Sequence, residues 1–109
     1  MTILASFQPS YGKGITETAT TTSASFTIDA SATTSGGGNK SVVVTNQGGT
    51  NGVYVRLGNS AATVTATDAD YYIPPNAQVT LTKAETDNTI AFLAAASTTA
   101  VHAIPGEGF

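Results

Sequence analysis

The sequence predicts an all-β protein: a single-domain antiparallel β-sandwich, either jelly-roll-like or immunoglobulin-like. Short runs of Thr, Val and Ala recur roughly every 8–12 residues and are separated by Gly, Asn and Pro, which is the spacing of a sandwich or barrel. Thr is the commonest residue, and its branched Cβ favours a pleated, half-buried strand. A chain of 109 residues is one domain by length, able to bury roughly 65% of its unfolded surface.

Alternation of apolar and polar residues indicates where the strands lie. The pattern predicts one strand within 15–30 and further strands at 41–45, 53–57, 62–67, 78–82, 89–93 and 99–104. Short turns within 41–67 predict a meander or part of a Greek key. The alanine-rich segment 90–96 has helical propensity, but its short length between turn signals favours a strand with both faces covered.

Residues outside these runs indicate how the domain is organised. Residues 1–14 are predicted to form an N-terminal arm, 15–104 the sandwich and 105–109 a C-terminal tail. The tandem prolines after Tyr71, Tyr72 and Ile73 predict a sheet edge or a crossing between sheets, because proline cannot donate a ladder hydrogen bond.

Composition excludes several classes of function. The net charge is −3 and only 10% of residues are charged, so the chain lacks the basic surface that nucleic-acid binding requires. There is no Cys for a disulfide or a thiolate metal site, and no stretch approaches the ~20 apolar residues of a membrane span. The N-terminal residues lack signal-peptide features, which predicts folding in a cytoplasm.

No catalytic, metal or cofactor site is predicted, and the protein is therefore expected not to be an enzyme. His102 is the only histidine, and no sequence context for a Ser-His-Asp triad accompanies it. Asp68 and Asp70 favour turn capping over Ca²⁺ binding. Tyr71 and Tyr72 alternate along a strand, which predicts one buried and one exposed ring. Two roles are open for the exposed ring: ordinary packing at a sheet edge, or stacking on a sugar.

Five short motifs occur in a fixed order between residues 41 and 109. They are Val-Val-Val-Thr-Asn at 42–46, Val-Tyr-Val-Arg-Leu-Gly at 53–58, Ala-Thr-Asp-Ala-Asp-Tyr-Tyr-Ile-Pro-Pro at 66–75, Thr-Ile-Ala-Phe-Leu-Ala at 89–94 and Ile-Pro-Gly-Glu-Gly-Phe at 104–109. In this order they resemble small all-β virion structural proteins of tailed bacteriophages. The resemblance implies a β-sandwich that is incorporated into the phage particle.

Within that class, the resemblance favours a capsid cement (decoration) protein on the outer surface of the virion. The expected partners are the major capsid protein and neighbouring copies of the chain, as a dimer or trimer. Phe7, Tyr11 and Phe109 are the expected contact residues, because buried aromatic side chains carry much interface energy. The alternatives are a tail, baseplate or head-fibre component and a carbohydrate-binding adhesion module with Tyr71 or Tyr72 as its stacking platform.

Overall fold

The computed structural model describes residues 8–9, 11–28, 41–59, 64–83 and 87–107. In this part of the chain there are nine β-strands: β1 (Gln8–Pro9), β2 (Ile15–Ala19), β3 (Ala24–Thr27), β4 (Ser41–Asn46), β5 (Val53–Gly58), β6 (Tyr71–Ile73), β7 (Gln78–Thr82), β8 (Thr89–Ala94) and β9 (Thr99–Glu107). No helix in these ranges has the length and hydropathy to cross a membrane.

Two antiparallel sheets form a sandwich, which confirms the predicted all-β class. Sheet A has the order β2–β9–β4–β7, with β1 pairing with the end of β9, and sheet B has the order β3–β8–β5–β6. Each strand of the first half pairs with its mirror strand of the second half: β2 with β9, β3 with β8, β4 with β7 and β5 with β6. This folded-over hairpin is a jelly roll, not an immunoglobulin-like sandwich.

The core lies between the two sheets and is filled by alternate strand residues. Sheet A contributes Val42, Val44 and Val101, and sheet B contributes Ile90 and Phe92, all of them fully buried. Cross-strand partners share a face, so the register Val44↔Ala103 and Val55↔Phe92 places these side chains inward together. The predicted period-two alternation is therefore what separates core from surface.

Two features of the 41–67 region differ from the prediction. The consecutive strands β4 and β5 belong to different sheets and do not pair. The meander alternative is therefore wrong, whereas the Greek-key alternative agrees with the jelly roll, which consists of two Greek keys. The predicted strand at 62–67 is also wrong where it is described, since residues 64–67 form no strand. Alternation of Ala, Val and Thr suits any extended segment with one buried face. Here the segment packs its buried face on sheet B instead of forming hydrogen bonds along the edge of a sheet.

Residues 64–67 lie across the outer face of sheet B. Val64 and Ala66 are buried against Ala91 and Leu93, two outward residues of β8. The backbone N–H of Ala66 donates a hydrogen bond to Ser23 Oγ at 2.8 Å. Strand β8 is consequently covered on both faces, as its unbroken apolar sequence predicts.

Gly58 lies close to Val64 of this crossing segment. A Cβ added at Gly58 would lie 2.3 Å from Val64 Cγ2, which is far inside van der Waals contact. We expect Gly58→Ala to lower the free energy of unfolding by about 1–3 kcal/mol through overpacking. Urea unfolding followed by circular dichroism measures the loss.

The matched control is Gly49→Ala, because a Cβ there meets nothing closer than Asn76 Nδ2 at 3.8 Å. We expect its effect to stay within about 0.5 kcal/mol. Adding Val64→Ala to Gly58→Ala removes the clashing methyl, so the loss in the double variant should be smaller than the sum of the single losses. Strict additivity would contradict the contact.

The two ends of the described chain meet in sheet A. Gln8 pairs with Glu107 and Pro9 with Gly106, so this part of the N-terminal segment lies on the chain's own sheet. Strand β9 continues through Pro105 to Glu107, and the boundary predicted at residue 105 therefore falls inside a strand.

Candidate functional site

The outer face of sheet A is a surface built from four adjacent strands. Its cross-strand register places Thr16, His102, Thr45 and Gln78 in one row. We call this surface the uncharged face, and it comprises Thr16, Thr18, Val43, Thr45, Gln78, Thr80, Thr82, Ala100, His102 and Ile104. These side chains are exposed or half-buried, and the set contains no Asp, Glu, Lys or Arg.

Hydrogen bonds between neighbouring strands order the polar side chains of the uncharged face. Thr16 Oγ1 and His102 Nδ1 are hydrogen-bonded at 2.8 Å, and Gln78 Nε2 donates to Thr45 Oγ1 at 2.9 Å. In the next row Ile104 pairs with Val43 and Val43 with Thr80. His102 is thus a hydrogen-bonded strand histidine, as the sequence indicates.

A cleft opens on the opposite side of the molecule, over the outer face of sheet B. We call it the tyrosine cleft; it has a volume of about 480 Å³ and is lined by Thr21, Tyr54, Ala66, Thr67, Asp68, Leu93, Ala94 and Ala95. Tyr54 and Leu93 are cross-strand partners on β5 and β8, so they form its floor. The 66–68 segment forms one wall.

Asp70 holds that wall in place. Its Oδ2 accepts a hydrogen bond from the backbone N–H of Thr67 at 2.7 Å and from the Thr67 hydroxyl at 3.3 Å. Its Oδ1 lies 3.6 Å from Arg56 Nη1. The predicted turn-capping role is therefore confirmed for Asp70, whereas the carboxylate of Asp68 is exposed and bonds to no described residue.

The tyrosines differ in part from the prediction. Tyr71 is 51% and Tyr72 is 44% exposed, so the expectation that one of them is buried is wrong. The register Val55↔Tyr71 and Tyr54↔Tyr72 places the two rings on opposite faces of sheet B. Strand β6 is an edge strand of three residues, so a neighbouring strand covers these rings on one side only. Tyr72 packs beside Tyr54, with ring centroids 5.1 Å apart.

Of the three predicted contact residues, Tyr11 lies within the part of the chain that the structure describes, and their joint role stays a prediction. Tyr11 is 84% exposed in the turn before β2, while Phe7 and Phe109 lie outside the described residues. Sequence reasoning missed Tyr54 as a cleft residue. Alternation along β5 predicts that Tyr54 points outward, beside its partner Leu93 on β8. Alternation does not predict that residues 66–68 cross this face and turn it into a cleft.

No protein-family model matches the chain, and no curated protein matches it. Among solved structures, the chain is similar to the nucleoplasmin-like N-terminal domain of Drosophila FKBP39, with 17% identity over 94% of this chain and 95% of that chain and a TM-score of 0.35. It is also similar to the Drosophila NLP core, with 10% identity over 85% of this chain and 95% of that one and a TM-score of 0.34. The latter structure was described for pentamer formation and histone binding by that protein.

The prediction of a bacteriophage capsid cement protein is contradicted, because these similar structures are nucleoplasmin-like domains and neither is a virion protein. The physical reason lies in the motifs that suggested it. All five overlap strands, namely β4, β5, β6, β8 and β9, and alternating Val, Thr and Ala is common to unrelated sandwiches. The expected capsid partner and virion location rested on the same resemblance, and they are not proposed further.

Proposed function

We propose that the protein is a non-catalytic β-sandwich module that acts by self-association, as a homodimer formed through the uncharged face. The observation that carries this proposal is that the outward side chains of the uncharged face, drawn from four adjacent strands of sheet A, include no Asp, Glu, Lys or Arg. Protein interfaces are depleted of charged residues at their centre. Burying hydrogen-bonded hydroxyl and amide groups costs much less desolvation free energy than burying ionised groups.

The rest of the described surface has a different character. Charged side chains there include Arg56, Asp68 and Asp70 on the sheet B side. The chain as a whole carries a net charge of −3, so two copies repel one another weakly wherever their acidic groups approach. Contact through the uncharged face keeps those groups apart.

The shape of the face also fits a two-fold contact. Stacked sheets pack about 10 Å apart through the side chains of their facing surfaces. The half-buried pair Val43 and Ile104 supplies apolar area, and the surrounding Thr side chains are short enough for close approach. An isologous contact needs only one self-complementary patch, and a patch without charge meets its own copy without like-charge pairs.

Sedimentation equilibrium of the full chain tests the proposal. We expect a concentration-dependent dimer whose dissociation constant changes little between low and high salt, since no ion pair crosses the interface. Thr80→Glu places a carboxylate beside Val43, and burying that charge should weaken the dimer by about tenfold or more.

The control is Thr65→Glu, which makes the same change of charge at an exposed residue on the sheet B side. We expect it to leave the dissociation constant within about twofold of the wild-type value, because surface changes outside an interface have small effects. A chain that stays monomeric at all concentrations, or a dimer weakened equally by both variants, would overturn the proposal.

A further inference from the structure

We propose that the tyrosine cleft binds a lysine side chain of a peptide ligand, with Asp68 pairing with the ammonium and the ring of Tyr54 lying against it. This site is on the opposite sheet from the uncharged face, so the inference is independent of the proposed self-association. Its basis is a combination of shape, an aromatic floor and one carboxylate, that of Asp68, which bonds to no residue in the described part of the chain.

The size and lining of the cleft suit an extended side chain. Its volume of about 480 Å³ falls within the range of about 300–1,000 Å³ of ligand sites. Leu93 and Tyr54 supply apolar floor for the methylene stem of lysine, which buries its carbons while its charged end stays hydrated. The Tyr54 ring offers a negative face to a cation.

The polar groups of the wall decide what charge the ligand carries. The polar groups of Thr67 already have partners. Its N–H and hydroxyl both donate to Asp70, and its hydroxyl oxygen accepts from the N–H of Ala69 at 3.2 Å. The carboxylate of Asp68, in contrast, makes no hydrogen bond to a described residue. A carboxylate only accepts hydrogen bonds, so Asp68 offers a negative charge and acceptor oxygens to a group that donates, as an ammonium does.

A neutral sugar fits this wall less well. Sugar hydroxyls both donate and accept, and the donors of Thr67 are committed to Asp70. Arg56, the nearest cation on the same strand face as Tyr54, already lies 3.6 Å from Asp70. The net charge of −3 adds a long-range attraction for cations.

The wall is rigid enough to present Asp68 in one place. The Asp70 hydrogen bonds close a tight turn over residues 67–70, in which the N–H of Asp70 also donates to the carbonyl of Thr67 at 3.1 Å. Ala66 is fastened to Ser23 on one side and to the outer face of β8 on the other. A preorganised wall reduces the entropy that a ligand must offset on binding.

Amide chemical-shift titration of the full chain with a short blocked peptide containing one lysine, at about 50 mM salt, tests the site. We expect shifts at residues 66–68 and 93–95, weak affinity, and no shifts with the same peptide carrying acetyl-lysine. Asp68→Asn should lower the affinity about three- to fivefold, the range of an exposed ion pair.

Two further variants separate the site from general electrostatics. Glu17→Gln removes one negative charge from sheet A and should change the affinity by less than about twofold. Tyr54→Leu keeps an apolar floor but removes the ring, and it should weaken binding about two- to fivefold. Equal effects of Asp68→Asn and Glu17→Gln would overturn the inference, as would shifts outside the cleft. So would binding of maltotriose there with no binding of the peptide.

Discussion

Phe92→Ala is expected to lower the free energy of unfolding by about 3–5 kcal/mol, the largest effect of any single apolar substitution among the residues that the structure describes. Phe92 is fully buried and has the largest side chain among the fully buried residues described. It lies on β8, between its partners Ala24 of β3 and Val55 of β5. Its ring contacts that of Phe26, with the centroids 5.6 Å apart.

The size of this effect follows from the position of β8. A central strand with both faces covered has little freedom to collapse into a cavity, and the cost of a large-to-small change rises with the volume that stays empty. A domain of this size has a total stability of about 5–15 kcal/mol. The loss therefore amounts to a large share of the total.

Urea unfolding monitored by far-ultraviolet circular dichroism measures the loss. Phe92→Leu retains part of the volume and should cost less, which keeps the measurement possible if the alanine variant does not fold. Tyr11→Ala is the control, because it deletes an aromatic ring that is 84% exposed and should cost no more than about 0.5 kcal/mol. Similar losses for Tyr11→Ala and Phe92→Ala would contradict the assignment of the core.

Asn46→Ala is expected to lower the free energy of unfolding by about 2–4 kcal/mol, although the residue is polar. Asn46 is fully buried at the end of β4. Its Nδ2 donates to the carbonyl oxygens of Asn51 at 2.9 Å and Ile73 at 3.2 Å. Its Oδ1 accepts from the N–H of Gly48 at 3.0 Å and from the Thr99 hydroxyl at 2.6 Å.

The side-chain amide of Asn46 thus links the β4–β5 connection to strand β6 of sheet B and strand β9 of sheet A. Removing it leaves buried donors and acceptors without their partner, and each unsatisfied group costs about 1–3 kcal/mol. Gly48 is part of the same arrangement, since a Cβ there would lie 1.9 Å from Thr99 Oγ1. The tight approach requires glycine at that position.

The neighbouring residue provides the control for Asn46→Ala. Gln47 is exposed, and its described hydrogen bond is made by the backbone N–H, which donates to the carbonyl of Ala100 at 2.8 Å. Gln47→Ala keeps that bond and should change stability by no more than about 0.5 kcal/mol. Thr99→Val removes a single donor to Asn46 and should give an intermediate loss. If Asn46→Ala and Gln47→Ala behaved alike, the buried amide would have no structural role.

Individual strands were predictable from the sequence because the signal for each one is local. Val53, Val55 and Leu57 alternate with Tyr54 and Arg56 along β5. Gly and Asn residues lie where β4 and β5 end, and a Pro-Pro-Asn run precedes β7. The prolines after Ile73 predicted an edge, and β6 is an edge strand. The apolar run of β8 predicted two covered faces, and both are covered.

The candidate sites were predictable only in part. Outward positions such as Thr16, His102 and Thr80 follow from alternation, but the uncharged face exists only because β2, β9, β4 and β7 lie side by side. Asp70 was correctly expected to cap a turn. The tyrosine cleft requires residues 64–67 to cross sheet B, and nothing in their alternation distinguishes that crossing from a paired strand.

The sequence by itself determined the fold class of the protein, because period-two patterning with frequent turn residues specifies strands. Only the tertiary structure decided which strands pair. A side-chain period of two is satisfied equally by any antiparallel partner, so it cannot separate a jelly roll from an immunoglobulin-like sandwich. Asn46 shows the same limit, because its sequence context indicates a turn, whereas its burial and four hydrogen bonds arise from residues up to 53 positions away.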